Sequence, residues 1–298
     1  MQKQYVCSVC RRAALLLLLA ICLPLSIDAQ RDEVSRSWNR PVKPFRIIGN
    51  VYYVGASEVA SYLITTPQGH ILLDSGFAET VPLIRAGIQQ LGFKLEDVRL
   101  LINSHAHYDH AGGLAELKAL TGAKLAASEA DAAQLAVGDK DDFCWGDRLA
   151  FPPVKTDRIL HDGDTVELGG VWLVAHLTPG HTKGNTTWTM EVKDGGKTYN
   201  VVFMGSTSAP GYKLVNNPKY ANIVADYQRS FRVLESLPCD VFLGPHGSFF
   251  GLEGKAGKLA QDATVNPFID PQGYRKFLED SKQSFYEQLK AQQAKPSK

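Results

Sequence analysis

The sequence predicts an α/β (α+β) fold, a four-layer αββα sandwich of two mixed β-sheets with helices on their outer sides. Two observations predict it. Short apolar runs bounded by glycine and proline alternate with longer segments that carry apolar residues at helical spacing. Strands followed by a helix also occur twice, in two similar halves, and two facing sheets with outer helices bury the apolar side of each element. A chain of 298 residues, 44% hydrophobic and 21% charged, fits an ordinary soluble globular protein.

Residues 1–29 are predicted to be a secretory signal peptide, so we expect a single folded domain over residues 30–298. Three basic side chains lie at or before position 12, and the apolar run at residues 13–23 is too short to span a bilayer. Ala29 provides a small residue at a cleavage point. We therefore expect a secreted, periplasmic protein with no membrane attachment once the signal is removed.

The remaining chain is nearly neutral and holds two cysteines. Loss of residues 1–29 removes three basic groups and one acidic group, so the formal charge changes from +1 to −1. Without a strong positive field there is no general attraction for polyanions, which argues against a nucleic-acid substrate. Cys144 and Cys239 could pair in an oxidising compartment or stay as isolated thiols, and neither has the spacing of a zinc-binding cysteine site.

The first half of the domain is predicted to begin with an irregular arm at residues 30–44, which is polar and contains two prolines. Strands are predicted at residues 45–54, 59–65, 71–74 and 98–103. A helix is predicted at residues 79–91, because apolar residues recur there at helical spacing and Gly92 follows. The last of these strands is a short apolar run, as expected of a strand covered on both faces.

The second half repeats this pattern. Helices are predicted at residues 111–120, 129–137 and 222–237, and strands at residues 124–127, 165–168, 171–176, 186–192, 199–204 and 241–243. Residues 138–153 are predicted to form a loop. A final helix is predicted at residues 273–289, with an apolar stripe that we expect to pack on the core rather than on a partner protein.

Four metal-binding side chains occur within the six residues His105-Ala-His107-Tyr-Asp109-His110. Side chains alternate along an extended segment, so His105 and His107 point the same way. A turn at Tyr108 then sends Asp109 and His110 to the opposite side. One loop can therefore serve two adjacent cations, and imidazoles with a carboxylate suit zinc.

Two further histidines, His181 and His246, follow the ends of predicted strands in segments rich in glycine and proline. These residues let the backbone turn sharply and come close to a metal. Asp74 ends the third predicted strand, and we expect it to accept a hydrogen bond from a ligand imidazole and fix the tautomer. The alternative is an aspartate that caps its own turn. Ligands at strand ends are expected to converge at one edge of the sandwich.

With these motifs the chain resembles the metallo-β-lactamase superfamily over residues 51–246, and within it the subclass B3 metallo-β-lactamases. The resemblance implies the four-layer metallo-β-lactamase sandwich and two Zn²⁺ ions per chain. The implied ligands are His105, His107 and His181 for one zinc, and Asp109, His110 and His246 for the other. All six positions carry the expected residue type.

Ser206 distinguishes the branches of this superfamily. Glyoxalase II enzymes, many lactonases and tRNA-processing nucleases carry a metal-bridging aspartate at this position, and subclasses B1 and B2 carry a zinc-binding cysteine. Serine is a poor ligand at neutral pH, and its presence here resembles subclass B3. By the same resemblance Ser206 and Ser208 bind the carboxylate of the substrate.

The resemblance implies hydrolysis of the β-lactam amide bond in penicillins, cephalosporins and carbapenems, and hence antibiotic resistance. Paired zinc ions lower the pKa of a shared water to roughly 7, so that hydroxide attacks the lactam carbonyl at neutral pH. Asp109 is implied to orient this nucleophile and could pass a proton. Two alternatives remain: a same-fold hydrolase of thioesters or lactones, like glyoxalase II, and a non-catalytic zinc protein. The expected partner is a small molecule, and the protein is expected to be a monomer.

Overall fold

The computed structural model describes residues 27–294 and contains two mixed β-sheets, as the sequence predicted. The first sheet has seven strands, in the order β1 to β7. They are β1 (Phe45–Ile48), β2 (Val51–Tyr53), β3 (Tyr62–Thr66), β4 (Gly69–Leu73), β5 (Val98–Ile102), β6 (Lys124–Ser128) and β7 (Arg158–Leu160). Strands β1 to β4 pair antiparallel, and β4 to β7 pair parallel.

The second sheet has five strands, in the order β12-β11-β10-β9-β8. They are β8 (Thr165–Leu168), β9 (Val171–Leu177), β10 (Thr186–Asp194), β11 (Lys197–Phe203) and β12 (Val241–Leu243). The pairing of β11 with β12 is parallel, and the other pairings are antiparallel. Parallel strands bring their carboxyl ends to the same edge of a sheet, which is how β4 and β5 of the first sheet both deliver residues to one site. The loop after β12 of the second sheet reaches the same site.

The alternation of side chains along β4 separates two apolar layers. Ile71 and Leu73 belong to the large cluster between the sheets, which also holds Trp188 and Phe203 from the second sheet. Leu72 points the other way, into a cluster beneath the helices. All these side chains are at most 1% exposed. A strand with both faces covered is apolar at every position, which is why this part of the chain lacks a polar face.

Nine helices accompany the sheets in the described part of the chain. They are α1 (Ile27–Trp38), α2 (Val81–Gln90), α3 (Tyr108–Ala111), α4 (Leu114–Thr121), α5 (Glu129–Val137), α6 (Ile223–Ser236), α7 (Gly247–Phe250), α8 (Leu252–Gln261) and α9 (Pro271–Gln293). Helices α2, α4 and α5 bury Ile88, Leu117 and Leu135 against the outer face of the first sheet. Helices α6 and α9 lie by the second sheet, where the Tyr274 hydroxyl donates to the Leu234 carbonyl oxygen at 2.8 Å.

The last helix packs on the core, as its apolar stripe predicted. Tyr274, Leu278, Phe285 and Leu289 are between 2% and 7% exposed. The Tyr274 ring lies 5.3 Å from the ring of Phe242 in β12. Burial of four large apolar side chains stabilises the helix against this sheet by several kcal/mol, at roughly 1.5–3 kcal/mol for each fully buried side chain.

Two predictions for the start of the domain were wrong. The arm at residues 30–44 is partly helical, because α1 extends to Trp38, and its end is tied down where the Ser57 and Glu58 amides donate to the Arg40 and Trp38 carbonyls. The strand predicted at residues 45–54 is the hairpin of β1 and β2. Gly49 has a φ of +48°, which suits a two-residue hairpin turn.

Several short elements escaped prediction. The helix predicted at residues 111–120 is divided into α3 and α4, and β7, α7 and α8 were not predicted. Strand β7 has three residues and α7 has four, which is too short for a periodic pattern. Helix α8 contains Gly254 and Gly257, and glycine costs about 1 kcal/mol per position in a helix.

The predicted signal peptide lies almost wholly outside the described residues. Its boundary at residue 29 falls within α1 and stays a prediction. Over residues 27–294, no helix combines the length and the apolar character needed to cross a bilayer. Cys144 and Cys239 are free thiols, and they lie in different apolar clusters.

Candidate metal centre

The His-rich loop leaves the carboxyl end of β5 and is deeply buried. His105 and His110 are 0% exposed, and His107 and Asp109 are 5% and 8% exposed. The turn expected at Tyr108 is the first residue of α3, with His107 at the N-cap. The His105 ring lies 5.0 Å from the His107 ring and 4.3 Å from the His110 ring. His105 therefore lies between the two predicted ligand groups.

The first predicted group is assembled from two loops. Single donor atoms of His105, His107 and His181 all lie within 4.8 Å of one another, close enough to hold one metal ion. His107 Nδ1 is 3.1 Å from His181 Nε2. Two nitrogens at a zinc bond length in tetrahedral geometry are roughly 3.4 Å apart, so this spacing fits zinc. His105 Nε2 is buried and has no hydrogen-bond partner among the described residues, as expected of an atom that faces a cation.

The second predicted group comes together around α3 and the loop after β12. Asp109 Oδ2 lies 3.1 Å from His110 Nε2 and 3.7 Å from His246 Nε2, and the two Nε2 atoms are 3.3 Å apart. This triangle again matches the separation of zinc ligands. Asp109 and His110 also form a possible metal group with His105. All six predicted ligands therefore converge on one site.

Burial keeps four of the imidazoles neutral. Burial, followed by the charges of neighbouring histidines, lowers the pKa of His107 to about 4 and the pKa values of His181 and His246 to about 3. The pKa of His105 is also lowered strongly, first by burial and then by nearby imidazoles. A metal-binding imidazole must be unprotonated, so these groups are ready to bind a cation at neutral pH.

Asp109 and His110 form a buried pair whose pKa values are shifted in opposite directions. Burial raises the pKa of Asp109, but the charge and hydrogen bond of His110 and the charges of His246 and His107 together lower it more, so the carboxyl stays ionised. Burial lowers the pKa of His110, but the Asp109 charge raises it above its usual value. A buried negative charge of this kind is costly unless it is paired or binds a metal. The acid therefore favours a cation in the second group.

Asp74 reaches the ligands through Ser104. Asp74 Oδ1 accepts from the Ser104 amide at 2.6 Å and Oδ2 accepts from the Ser104 hydroxyl at 2.7 Å. Ser104 Oγ is 3.0 Å from His105 Nδ1. The direct hydrogen bond expected from an imidazole to Asp74 is not formed, because its nearest ligand nitrogen, His110 Nδ1, is 3.8 Å away.

This chain of contacts sets the tautomer of His105. Burial raises the pKa of Asp74 to about 6, and the His110 charge and the Ser104 hydrogen bonds limit the rise, so the carboxyl is mostly ionised at pH 7. An ionised carboxylate only accepts, so the single hydroxyl proton of Ser104 points at Asp74. Ser104 Oγ must then accept from His105 Nδ1–H, which leaves Nε2 free for a metal.

Ser206 and Ser208 lie in the loop after β11, and Ser208 is on the Nδ1 side of the His181 ring. The Ser208 carbonyl oxygen accepts from His181 Nδ1 at 2.7 Å, which points His181 Nε2 at His107. The hydroxyl oxygens of Ser206 and Ser208 are 3.1 Å apart. Ser206 is buried, at 2% exposed, and Ser208 is exposed. Only Ser208 thus presents its side chain freely to solvent.

Three residues outside the predicted ligand set lie beside the ligands. Glu58 Oε1 lies 3.8 Å from His246 Nδ1, and the Trp38 ring packs edge-on against the His246 ring at 5.2 Å. The Tyr212 hydroxyl donates to the His181 carbonyl oxygen at 2.9 Å. Glu58 and Trp38 precede the His-rich motif by more than 45 positions, and no local pattern connects them with His246.

The other three histidines lie elsewhere. His70 packs edge-on against Phe93 at 5.1 Å, and His161 is exposed beside Asp164. His176 Nε2 is 2.9 Å from the Thr189 hydroxyl oxygen. These are structural or surface positions.

Solved structures resemble this chain over nearly its full described length. The FEZ-1 metallo-beta-lactamase from Legionella gormanii is 47% identical with a TM-score of 0.84, and the match covers 86% of this chain and 99% of that one. BJP-1, a subclass B3 metallo-beta-lactamase of Bradyrhizobium japonicum, is 41% identical with a TM-score of 0.81, covering 86% of this chain and 97% of that one.

Curated relatives match over shorter stretches. The acyl-coenzyme A thioesterase MBLAC2 of Gallus gallus is 28% identical over 174 residues, which are 52% of this chain and 58% of that protein. The chain spans about half the length of the curated relatives it matches. The model of the metallo-beta-lactamase superfamily matches residues 54–246, which include all six predicted ligands. Solved structures at 41–47% identity to it include subclass B3 metallo-β-lactamases, and the chain itself therefore belongs to the metallo-β-lactamase superfamily.

Proposed function

We propose that this chain is a secreted two-zinc enzyme that hydrolyses the β-lactam amide bond of penicillins, cephalosporins and carbapenems, and so confers antibiotic resistance. The observation that carries the proposal is the convergence of five imidazoles and one carboxylate from three segments of the chain. Donor atoms of five of these groups are 3.1–3.7 Å from a neighbour, and that of His105 lies within 4.8 Å of donor atoms of both groups. The solved relatives, which are metallo-β-lactamases at 41–47% identity, support this substrate.

Each of the two ions would be bound by a separate group of three side chains. His105, His107 and His181 hold one, and Asp109, His110 and His246 hold the other. Zinc in these positions supplies Lewis acidity toward the lactam carbonyl and makes a hydroxide nucleophile available near pH 7. The Asp109 carboxylate, kept ionised beside His110, accepts a hydrogen bond from the attacking water and holds it in line with the carbonyl carbon.

Ser208 and Ser206 are proposed to bind the carboxylate that β-lactams carry next to the ring nitrogen. Ser208 is exposed and its hydroxyl can donate directly to that group. Ser206 is buried and lies 3.1 Å from Ser208 Oγ, so it acts through Ser208 or through a water. We also propose that the protein acts as a monomer in the periplasm, which gel filtration and cell fractionation would test.

A thioesterase function is the second candidate. The matches to an acyl-coenzyme A thioesterase and to hydroxyacylglutathione hydrolases favour it. Ser206 argues against it, because the glyoxalase II branch carries a metal-bridging aspartate at that position, and a buried serine at neutral pH is a poor replacement. The β-lactamase proposal therefore has the stronger support.

Hydrolysis assays with and without metal test the proposal. A panel of penicillin, cephalosporin, carbapenem, lactoylglutathione and homoserine lactone should show turnover of the β-lactams, loss of turnover after chelation and recovery with zinc. His107→Ala should lose one metal ion and nearly all turnover, whereas the exposed His161→Ala should match the wild type. Faster hydrolysis of the thioester than of any β-lactam would overturn the proposal, as would full activity after thorough chelation.

A further inference from the structure

Asp131 is a buried carboxylate that stands outside both ligand groups. It is the third residue of α5 and is 2% exposed. Its Oδ2 accepts from the Asn103 side-chain amide at 3.2 Å, and its Oδ1 accepts from the Thr182 hydroxyl at 2.9 Å. Burial raises the pKa of Asp131 to about 7, and the Thr182, Asn103, Ala106 and Gly184 groups beside it lower that pKa. One carboxylate thus accepts two side-chain hydrogen bonds and lies beside two backbone amides.

The two donors and the two backbone amides come from the two loops that carry the three-histidine group. Asn103 and Ala106 flank His105 in the loop after β5 of the first sheet. Thr182 and Gly184 follow His181 in the loop after β9 of the second sheet. The two loops belong to different sheets, and the Asp131 carboxylate joins them directly. The contacts of the His181 ring with the His105 and His107 rings, at 4.6 and 4.7 Å, depend on how these loops are set against each other.

The loop after β9 packs so closely on α5 that it has little freedom to move. A β-carbon built on Gly184 would lie 2.5 Å from Asp131 Oδ1 and 2.3 Å from Ser128 Oγ. The Ser128 hydroxyl donates to the Gly184 carbonyl oxygen at 2.7 Å and accepts from the Asp131 amide at 3.3 Å. The start of α5 therefore packs so closely on this loop that position 184 has no space for a side chain.

His246 is held by other parts of the molecule. Its segment pairs with Val59, the Ala60 amide donates to the Pro245 carbonyl at 2.9 Å, and the Gly247 amide donates to the Glu58 carbonyl at 2.8 Å. A change at Asp131 should therefore act on the three-histidine group before it acts on His246.

We propose that Asp131 is a positioning residue for the three-histidine metal site, which it sets by clamping the His105–His107 loop to the His181 loop. The inference rests on the proposed metal site and is independent of the substrate. Partners of metal ligands contribute 10- to 100-fold to metal affinity because they fix the direction of the donor atoms. Asp131 would act less directly than such partners, because it sets the relative position of the two loops that carry the ligands.

Asp131→Asn tests the clamp, with Asp139→Asn as the matched control. Asparagine keeps the size but replaces one accepting oxygen with an NH₂ group, which cannot receive a hydrogen bond. Asp139 is also a buried aspartate, at 1% exposed, beside the C-terminal end of the same helix. Its carboxylate accepts a hydrogen bond from the Gln134 side-chain amide. Zinc would be titrated into metal-free protein and followed by nitrogen NMR of the histidine rings, which reports each site separately and needs no substrate.

The clamp predicts that Asp131→Asn weakens zinc binding at His105, His107 and His181 by 10- to 100-fold and at His246 by less than threefold. Asp139→Asn should bind zinc like the wild type. If Asp131→Asn does not fold, Thr182→Val removes one donor at constant volume, and the same site-selective loss, of about three- to tenfold, is expected. Unchanged affinity, or equal loss at both groups, would overturn the proposal. Failure of the wild type to bind zinc would instead refute the proposed function.

Discussion

Ser104→Ala removes the link between Asp74 and His105, and its cost can be worked out from two distances. The hydroxyl donates to an ionised carboxylate at 2.7 Å and accepts from His105 Nδ1 at 3.0 Å. The charged hydrogen bond contributes about 1.5–3 kcal/mol and the neutral one about 0.5–1.5 kcal/mol. The total is therefore about 2–4.5 kcal/mol. This loss of free energy is divided between zinc affinity and the free energy of unfolding. The Ser104 hydroxyl affects the first because it fixes the His105 tautomer, and the second because it hydrogen-bonds the buried Asp74 carboxylate.

We expect zinc to bind Ser104→Ala about 10- to 100-fold more weakly than the wild type. This corresponds to about 1.4–2.7 kcal/mol, and the unfolding free energy of the zinc-free protein should fall by about 1–2 kcal/mol. Competition with a chromophoric chelator measures the first quantity, and urea unfolding measures the second. Ser61→Ala is the control, because the Ser61 hydroxyl is equally buried but has no hydrogen-bond partner among the described residues. If both variants bind zinc equally, the reasoning about the tautomer is wrong.

Three further predictions concern stability. Burial raises the pKa of Asp139 to about 8, above its value of about 3.9 in the unfolded chain. Protonated Asp139 therefore contributes to the unfolding free energy below about pH 4, and this contribution is lost as the pH rises to about 8. Asp139→Asn should remove up to about 1.4 kcal/mol per pH unit from the slope of unfolding free energy in that range. Gly184→Ala should destabilise the protein by at least about 1–3 kcal/mol in urea unfolding, because the new carbon meets Ser128 Oγ, whereas Gly254→Ala in open space should stabilise it by up to about 1 kcal/mol. Tyr212→Phe should lower the unfolding free energy by about 0.5–1.5 kcal/mol but leave zinc affinity within about threefold, and a larger loss of affinity would contradict a purely supporting role.

The layers of the fold and the clustering of the candidate ligands could be predicted because both depend on local signals. The apolar run at β5 and the amphipathic spacing of α2 are properties of short windows, and the structure confirms both elements. The His-rich motif also lies within one window, and the structure brings it together with His181 and His246. Residues next to a strand end are placed by the strand itself, which is why these positions could be predicted.

The contacts that support the ligands could not be predicted in the same way. Asp131 meets Asn103 from 28 positions away and Thr182 from 51 positions away, across two sheets. Glu58 meets His246 from the far end of the chain. Such pairings follow from how the sheets stack, and no pattern within a short window encodes that. Asp74 was found by its place after β4, but the intervening Ser104 changed the nature of its contact.

The contact of Trp38 with the His246 ring has a practical consequence for protein production. If secretion removes residues 1–29, Trp38 lies eight positions from the new amino terminus, within about 12 Å along a helix. Residues left over from a purification tag would then begin about 12 Å along the helix from a side chain that contacts a candidate metal ligand. Recombinant protein with a carboxyl-terminal tag, or with a native amino terminus checked by mass spectrometry, is the appropriate material for kinetic work.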